Sequence, residues 1–172
     1  MVTVKIRRAV PTDADAIGVL TEQVYRAGGW TSESYATVLR DGQARIEDAI
    51  VFVATLGGAV VGSVTLAPPA TRFVDVARSD EAEVRMLAVA PEARGRGIAD
   101  ALIDTCERQA RAAGLAGVVL STAPDMYAAH RLYRRRGYRR EPGRDWSTVH
   151  SAYFVYRVDL AASGPGTTAG ST

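Results

Sequence analysis

The sequence is poor in cysteine, histidine and lysine, and these shortages exclude several kinds of site. Cys106 is the only cysteine in 172 residues, so neither an intrachain disulfide nor a cysteine metal cluster can form. The two histidines, His130 and His150, lie far apart and fit no metal-ligand spacing, so we predict that the protein holds no metal. Lys5 is the only lysine, and arginine therefore supplies nearly all of the positive charge.

Long apolar runs and a strong excess of one charge are also missing. No stretch approaches the roughly 20 apolar residues that cross a bilayer, and the first residues lack the apolar segment of a signal peptide. A net charge of +2 is too small to indicate a nucleic-acid binder. We therefore expect a cytoplasmic protein that binds neither a membrane nor nucleic acid.

The hydrophobic pattern predicts one domain over residues 1–160, followed by a Gly-, Ala-, Ser- and Thr-rich tail over 161–172 that should be disordered. The predicted element order is β-α-α-β-β-β-α-β-α-β-β. The elements fall at 2–7, 14–28, 33–40, 49–55, 59–66, 83–89, 97–113, 117–121, 124–136, 138–141 and 151–160. Hairpins that lead into a βαβ crossover indicate an α/β (α+β) fold, with a mixed, mostly antiparallel sheet flanked by helices.

A glycine-rich turn between the strand at 83–89 and the next helix has the features of an anion site. The first N–H groups of a helix lack internal partners and lie at the positive end of its dipole. Gly95 and Gly97 would let phosphate oxygens approach the backbone, and Arg94 and Arg96 add positive charge. On the glycines alone, a loop that merely turns the chain explains the pattern equally well. A P-loop and a dinucleotide fingerprint both fit badly, because Ile98 follows the last glycine and the turn lies mid-chain.

Two motifs in this order resemble those of the GNAT N-acetyltransferase superfamily. Arg94, Gly97 and Ala99 match its acetyl-CoA signature, Arg/Gln-x-x-Gly-x-Gly/Ala, and the strand before them is similar. Residues 129–138 resemble its second motif, Ala-x-x-Leu-Tyr-x-x-x-Gly-Phe/Tyr. The element order agrees from about residue 2 to 160. The sequence departs from the family at Met126, where an asparagine is common, so that contact with the cofactor is in doubt.

The resemblance implies the GNAT acyl-CoA N-acyltransferase fold, with acetyl-CoA and an amine acceptor as partners. It implies direct attack of the amine on the thioester, and a sheet whose strands at 83–89 and 117–121 splay apart to admit pantetheine. The backbone at 87 and 89 would bind pantetheine, and the loop would bind the pyrophosphate. The implied cofactor-binding residues are Leu87, Ala88, Val89, Arg94, Gly95, Arg96, Gly97, Ile98 and Ala99.

The resemblance also supplies two catalytic candidates. Tyr133 occupies the position of the tyrosine that protonates the departing thiolate, although it could instead be a core tyrosine that holds its helix to the sheet. Glu83 begins the signature strand, where some relatives place a general base, and could equally be a solvated glutamate. The candidate acceptor contacts are Tyr25, Trp30, Tyr35 and His150.

Several marked residues have simpler interpretations. We expect Cys106 to be a buried thiol and His130 a surface histidine on its helix. The arginine-rich stretch 131–144 is expected to be a solvated face, with contact to a 3′-phosphate as the second interpretation. Acidic side chains could attract a cationic amine: Glu33, Asp75, Asp80 and Asp145.

Three functions follow from these observations, and the acetyltransferase is preferred. A catalytically silent acyl-CoA sensor and a nucleic-acid-associated protein are the alternatives. The resemblance leaves open whether the chain forms a homodimer, which amine accepts the acetyl group and whether other acyl-CoAs are used.

Overall fold

A computed structural model describes residues 2–161, so nearly all of the predicted disordered tail lies outside the described residues. The helices are α1 Ala14–Gly28, α2 Glu33–Arg40, α3 Gly42–Asp48, α4 Ile98–Ala112 and α5 Tyr127–Arg135. The strands are β1 Lys5–Arg8, β2 Ile50–Leu56, β3 Ala59–Ala67, β4 Glu81–Val89, β5 Gly117–Thr122, β6 Arg139–Arg140, β7 Trp146–Ser147 and β8 Ala152–Asp159. The strand order is β1-β2-β3-β4-β5-β8-β6, with β7 paired to β8.

The predicted mixed, mostly antiparallel sheet flanked by helices is confirmed. Of the strand pairs in the described chain, only β4 with β5 is parallel, as expected for the two strands that α4 connects. No helix within residues 2–161 is both long and apolar enough to cross a membrane.

The predicted element order was incomplete at two places. Helix α3 was missed because Asp41-Gly42 was interpreted as a helix end, whereas the Asp41 side chain caps a new helix by accepting the Ala44 N–H (2.9 Å). A Cβ on Gly42 would lie 2.1 Å from the Ala14 carbonyl oxygen, so glycine is needed for packing against α1. Strand β7 was missed because two residues are too short to show a period.

Several boundaries also differ from the prediction. Strand β1 starts at Lys5 rather than residue 2, because Val2 is exposed and has no strand partner among the described residues. Strand β4 starts at Glu81, two residues before the predicted start at 83. The apolar pattern did not include Glu81 because it is charged, although it is buried. Helix α5 starts at Tyr127 rather than 124, and β6 covers only Arg139–Arg140.

The sheet separates two groups of helices. Gly62 on β3 faces α4, where a Cβ would lie 2.9 Å from Ile98. The next residue, Ser63, faces the other side, with its hydroxyl 3.4 Å from that of Thr21 on α1. Alternation along the strands therefore defines an α4 face, which also carries α5, and an α1 face, which carries α2, α3 and the loop at 68–80.

Strands β4 and β5 part midway along their length, as the resemblance implied. Their pairing runs from Glu81 opposite Gly117 to Val84 opposite Leu120 and then stops. Just beyond, Met86 has a φ of 54°, and the register with β3 shifts between Ser63 and Thr65. This bulge turns β4 away from β5. Residues 85–89 of β4 therefore have no partner on the β5 side within the described chain. We call this opening the gap.

Candidate active site

The glycine-rich loop forms an open cradle of backbone N–H groups. The first backbone bond of α4 runs from the Ala101 N–H to the Gly97 carbonyl (3.0 Å), and no side chain caps the helix. The N–H groups at 98–100 therefore remain free within the described chain. Gly95 and Gly97 have φ values of 74° and 72°, and a Cβ on either would meet no described atom within 4 Å. This geometry suits an anion at the start of α4.

The edge of β4 next to this loop has no β5 partner. Residues 85–89 follow the last β4–β5 pair, and the Leu87 and Val89 side chains are half-buried. On the other side, Ala88 pairs with Ser63 of β3 and is buried. An extended chain with its own amides could therefore lie beside β4 on the open side.

Tyr133 lies on α5 and packs into the main hydrophobic core. Its side chain is 5% exposed and contacts the rings of Tyr138 and Tyr156, with centroids 5.6 and 6.1 Å away. The hydroxyl makes no hydrogen bond with residues 2–161, and burial raises its pKa, so it stays protonated at neutral pH. Tyr133 also affects the pKa of Tyr25, which lies on α1 at the opposite face of the sheet. Burial, Tyr35 and Tyr133 together raise the pKa of Tyr25. Tyr133 is thus a packed core residue whose hydroxyl is protonated and makes no hydrogen bond with the described residues.

Glu83 lies on the α1 face and holds the loop at 68–80. Its Oε2 accepts the N–H groups of Asp75, Val76 and Ala77 at 2.9, 2.9 and 3.0 Å. The side chain is 1% exposed, so the interpretation as a solvated glutamate is wrong. Burial raises the pKa of Glu83, while the N–H bonds and Arg85 oppose that rise. Oε1 makes no hydrogen bond with a described residue and is free to accept a proton.

Two of the predicted acceptor contacts are brought together on the α1 face. Tyr25 and Tyr35 both pack against the cluster that contains Phe73 and Met86. Trp30 folds back over the end of α1, with its ring perpendicular to that of Tyr25 at a centroid distance of 6.3 Å. These aromatic residues form an apolar wall on the α1 face of the sheet. We call this region the acceptor pocket, after the role predicted for its residues.

His150 is not brought into this pocket. It lies in the exposed turn between β7 and β8, where its N–H donates to Thr148 Oγ1 (3.2 Å). The acidic candidates are mostly paired with arginine: Glu33 with Arg26, Asp75 with Arg85, and Asp145 with Arg140, at 2.7, 2.9 and 2.6 Å. These three carboxylates are therefore poor attractors of a cationic amine.

Sequence reasoning missed two charged residues at the site, Glu81 and Arg85. Glu81 is 1% exposed and accepts from Arg144 (2.7 Å) and Arg157 (2.6 Å). Burial disfavours its charged form, but these bonds and the Arg78 N–H outweigh burial and lower its pKa to about 2. Arg85 donates to the Phe73 carbonyl (2.7 Å). The available signal was that Glu81, Glu83 and Arg85 alternate along an otherwise apolar strand, which places them on one face.

The other marked residues have structural roles. Cys106 is buried, as predicted. His130 is 5% exposed and bonds to the Ala123 carbonyl (2.9 Å), so its prediction as a surface residue is wrong. Met126 precedes α5 without a side-chain cap.

Five arginines of the 131–144 stretch form ion pairs rather than a free basic face: Arg135, Arg136, Arg139, Arg140 and Arg144. No group of three or more potential metal ligands occurs in the part of the chain that the structure describes.

Comparison with known proteins agrees with this geometry. The family described as "Acetyltransferase (GNAT) family" matches residues 19–138, more than half of the chain. An IAA acetyltransferase from Azospirillum brasilense is 35% identical over 141 residues, which cover 80% of this chain and 86% of that protein.

Solved structures show the same fold at low sequence identity. A GNAT acetyltransferase from Staphylococcus aureus Mu50 superposes with a TM-score of 0.74 at 12% identity, covering 92% of this chain and all of that one. The PaiA N-acetyltransferase from Thermoplasma acidophilum, solved with coenzyme A, gives 0.69 at 15% identity over 89% and 98% of the two chains.

Proposed function

The chain belongs to the acetyltransferase (GNAT) family, and we propose that it transfers acetyl from acetyl-CoA directly to a primary amine of a small molecule, peptide or protein. One observation carries the proposal. A cradle of free N–H groups at the start of α4 follows directly on the part of β4 that has no β5 partner. We also propose a cytoplasmic location, where acetyl-CoA is available.

The residues present fit coenzyme A. The N–H groups of Gly95 to Ala99 would bind the pyrophosphate, because the loop is open and both glycines leave space for its oxygens. Arg94 and Arg96 are exposed beside this loop and would add charge. The unpaired edge of β4 at Leu87, Ala88 and Val89 would bind the pantetheine arm.

When bound, acetyl-CoA supplies a thioester whose carbonyl carbon forms the new C–N bond as its C–S bond breaks. The Tyr133 hydroxyl would donate a proton to the departing sulfur. Glu83 lies on β4 just before the gap. Its Oε1 would therefore take the proton that the amine loses, through a bridging water. One proton leaves the nitrogen and one reaches the sulfur, so the charges balance.

The candidate acceptors follow from the name of one relative and from the residues on the α1 face. The relative from A. brasilense carries IAA in its name, so IAA belongs in the set of acceptors to be screened. Tyr25, Tyr35 and Trp30 would contact the acceptor from the α1 face, whereas no contact is proposed for His150, which lies outside this pocket in the β7–β8 turn.

The test combines binding with turnover on the same preparation. Isothermal titration with acetyl-CoA and with other acyl-CoAs measures binding, and a thiol reagent measures CoA release with a panel of amines. We expect acetyl-CoA to bind and CoA release to depend on an amine, with the acetylated product identified by mass spectrometry. Binding without release for any amine would instead indicate a sensor. Absence of specific acetyl-CoA binding would contradict the proposal.

A further inference from the structure

The acceptor pocket contains a cation that acetyl transfer does not require. Arg85 lies on β4 directly after its last pair with β5, so its side chain projects on the α1 face beside the gap. It is 15% exposed, donates to the Phe73 carbonyl at 2.7 Å and lies 2.9 Å from the Asp75 carboxylate. The Tyr35 hydroxyl also lies against this guanidinium. A guanidinium carries five N–H donors, and these three contacts leave others available to a ligand.

A second cation lies beneath the same pocket. Arg45 on α3 is completely buried, and its closest acceptor is the Leu39 carbonyl (2.6 Å). Its Nε has no hydrogen-bond partner within residues 2–161, and none of the described carboxylates forms an ion pair with it. Burial lowers the pKa of Arg45 to about 10, a value that still leaves it charged at neutral pH. A buried cation without a counterion creates a positive potential around it.

Both arginines affect the pKa values of tyrosines in the aromatic wall. Arg45 and Arg85 each oppose the rise in the pKa of Tyr25 that burial causes, and Arg85 does the same for Tyr35. Asp75 pairs with Arg85, and Glu83 shares the same face of β4, whereas Arg45 forms no ion pair with a described carboxylate. Arg45 therefore supplies positive charge without a described counterion on the α1 face.

We propose that Arg85 binds a carboxylate of the acceptor, which is therefore an amine that also carries a carboxylate, with Arg45 adding positive potential from below. This inference rests on the proposed acetyl transfer. Glu83 and Arg85 share one face of β4, with Cα atoms about 7 Å apart. That spacing suits a small amino acid whose carboxylate binds Arg85 and whose amine lies at the gap, within reach of Glu83 through water. The apolar wall of Tyr25, Tyr35 and Phe73 would take an apolar side chain.

The test uses acceptors that share a side chain and a primary amine but differ in the carboxylate, with rates compared per concentration of unprotonated amine. The probes are L-phenylalanine, L-phenylalaninamide and phenethylamine, with glycine, glycinamide and methylamine as a smaller set. Each is assayed for kcat/KM by CoA release with the wild type, Arg85→Met and Arg85→Lys. Arg78→Met is the control, because Arg78 is exposed on the loop at 68–80.

We expect the wild type to prefer the free carboxylates over their amides by at least about tenfold, because charge-assisted bonds to arginine are strong. Arg85→Met should lower kcat/KM for carboxylates by roughly 10- to 100-fold and leave that for amides nearly unchanged. Arg85→Lys should restore part of the loss, and Arg78→Met should have no effect. If Arg85 had a purely structural role, Arg85→Met would lower kcat/KM equally for carboxylates and for amides.

The possible failures are distinguishable. The inference is overturned if amides, carboxylate-free amines or protein amines are acetylated as efficiently as the carboxylates. It is also overturned if the preference for carboxylates survives in Arg85→Met. Either result leaves the proposed acetyltransferase activity intact. If no amine of any class releases CoA although acetyl-CoA binds, the proposed function fails, and the inference fails with it.

Discussion

The two sides of the site are built differently. The loop at 94–97 is exposed, and the backbone N–H groups at 95–100 bond to no other part of the described chain. The acceptor pocket is bordered by buried charged side chains that cross-link β4 to its neighbours. Glu83 bonds to three N–H groups of the loop at 68–80, and Arg144 joins Glu81 to the Val76 carbonyl (2.7 Å).

This difference indicates how each side recognises its ligand. A pyrophosphate can be bound by any backbone with the right shape, so the loop needs glycines and a helix start but few specific side chains. The pocket must instead fix the position of an acceptor, and side chains held by buried hydrogen bonds can do so with little loss of entropy. Substitutions in the pocket should therefore affect stability, whereas substitutions in the loop should affect mainly binding.

The largest expected effect is that of Glu81→Gln. The change leaves Arg144 and Arg157, whose side chains are 12% and 15% exposed, without their shared carboxylate. Breaking a buried pair from one side costs about 3–5 kcal/mol, and we expect a loss of that size in the free energy of unfolding by urea. Glu92→Gln on the exposed turn before the loop is the control. A loss below about 1 kcal/mol would show that the pocket does not depend on this network.

The same variant has a defined pH dependence. The pKa of Glu81 is lowered to about 2 in the folded protein, so its contribution to stability is complete above its ordinary pKa of 4.5. That contribution is lost as the pH falls from 4.5 towards 2. The difference in unfolding free energy between the wild type and Glu81→Gln should therefore shrink from pH 7 to pH 3. A difference independent of pH would contradict the assignment.

Tyr133→Phe tests the point where the two sides meet. The hydroxyl has no bonding partner in residues 2–161, so its removal should leave the fold stable while kcat falls by about 100-fold. Tyr138→Phe is a matched control, because that ring is also buried and lies 5.6 Å from Tyr133. Titration with acetyl-CoA should give the same Kd for both variants. Full turnover by Tyr133→Phe would remove the proton-donor role.

The same contrast explains what the sequence could predict. The loop was recognisable because its function follows from local features, namely two glycines and a helix start, which are contiguous in the sequence. The sheet and its gap followed from periodicity and the resemblance. Arg85 and Arg45 could not be assigned to one pocket, because they are 40 residues apart and only packing brings α3 and β4 together. Helix α3 was hidden for a related reason, since Asp41-Gly42 ends one helix and starts another.

A smaller effect is expected from alanine in the loop. Gly97→Ala and Gly114→Ala both place a Cβ at a left-handed φ, 72° and 75°, so each should lower stability by about 1–2 kcal/mol. Only Gly97→Ala would also push a methyl group towards the pyrophosphate. Its affinity for CoA, measured by titration, should fall by at least about tenfold, while that of Gly114→Ala stays unchanged. Equal affinities for the two variants would show that the backbone at Gly97 does not bind the pyrophosphate.

The smallest effect should come from removing charge beside the loop. Arg96 is exposed, so Arg96→Gln changes only a screened attraction, and we expect a rise of about two- to fivefold in the Kd for CoA at low salt. The rise should disappear near 0.5 M salt, where the screening length is only about 4 Å. Arg111→Gln, at the opposite end of α4, should leave the Kd unchanged at both salt concentrations. A loss of affinity in Arg96→Gln that is large or independent of salt would mean that this side chain contacts the cofactor directly. The loop, like the pocket, would then recognise its ligand through a specific side chain.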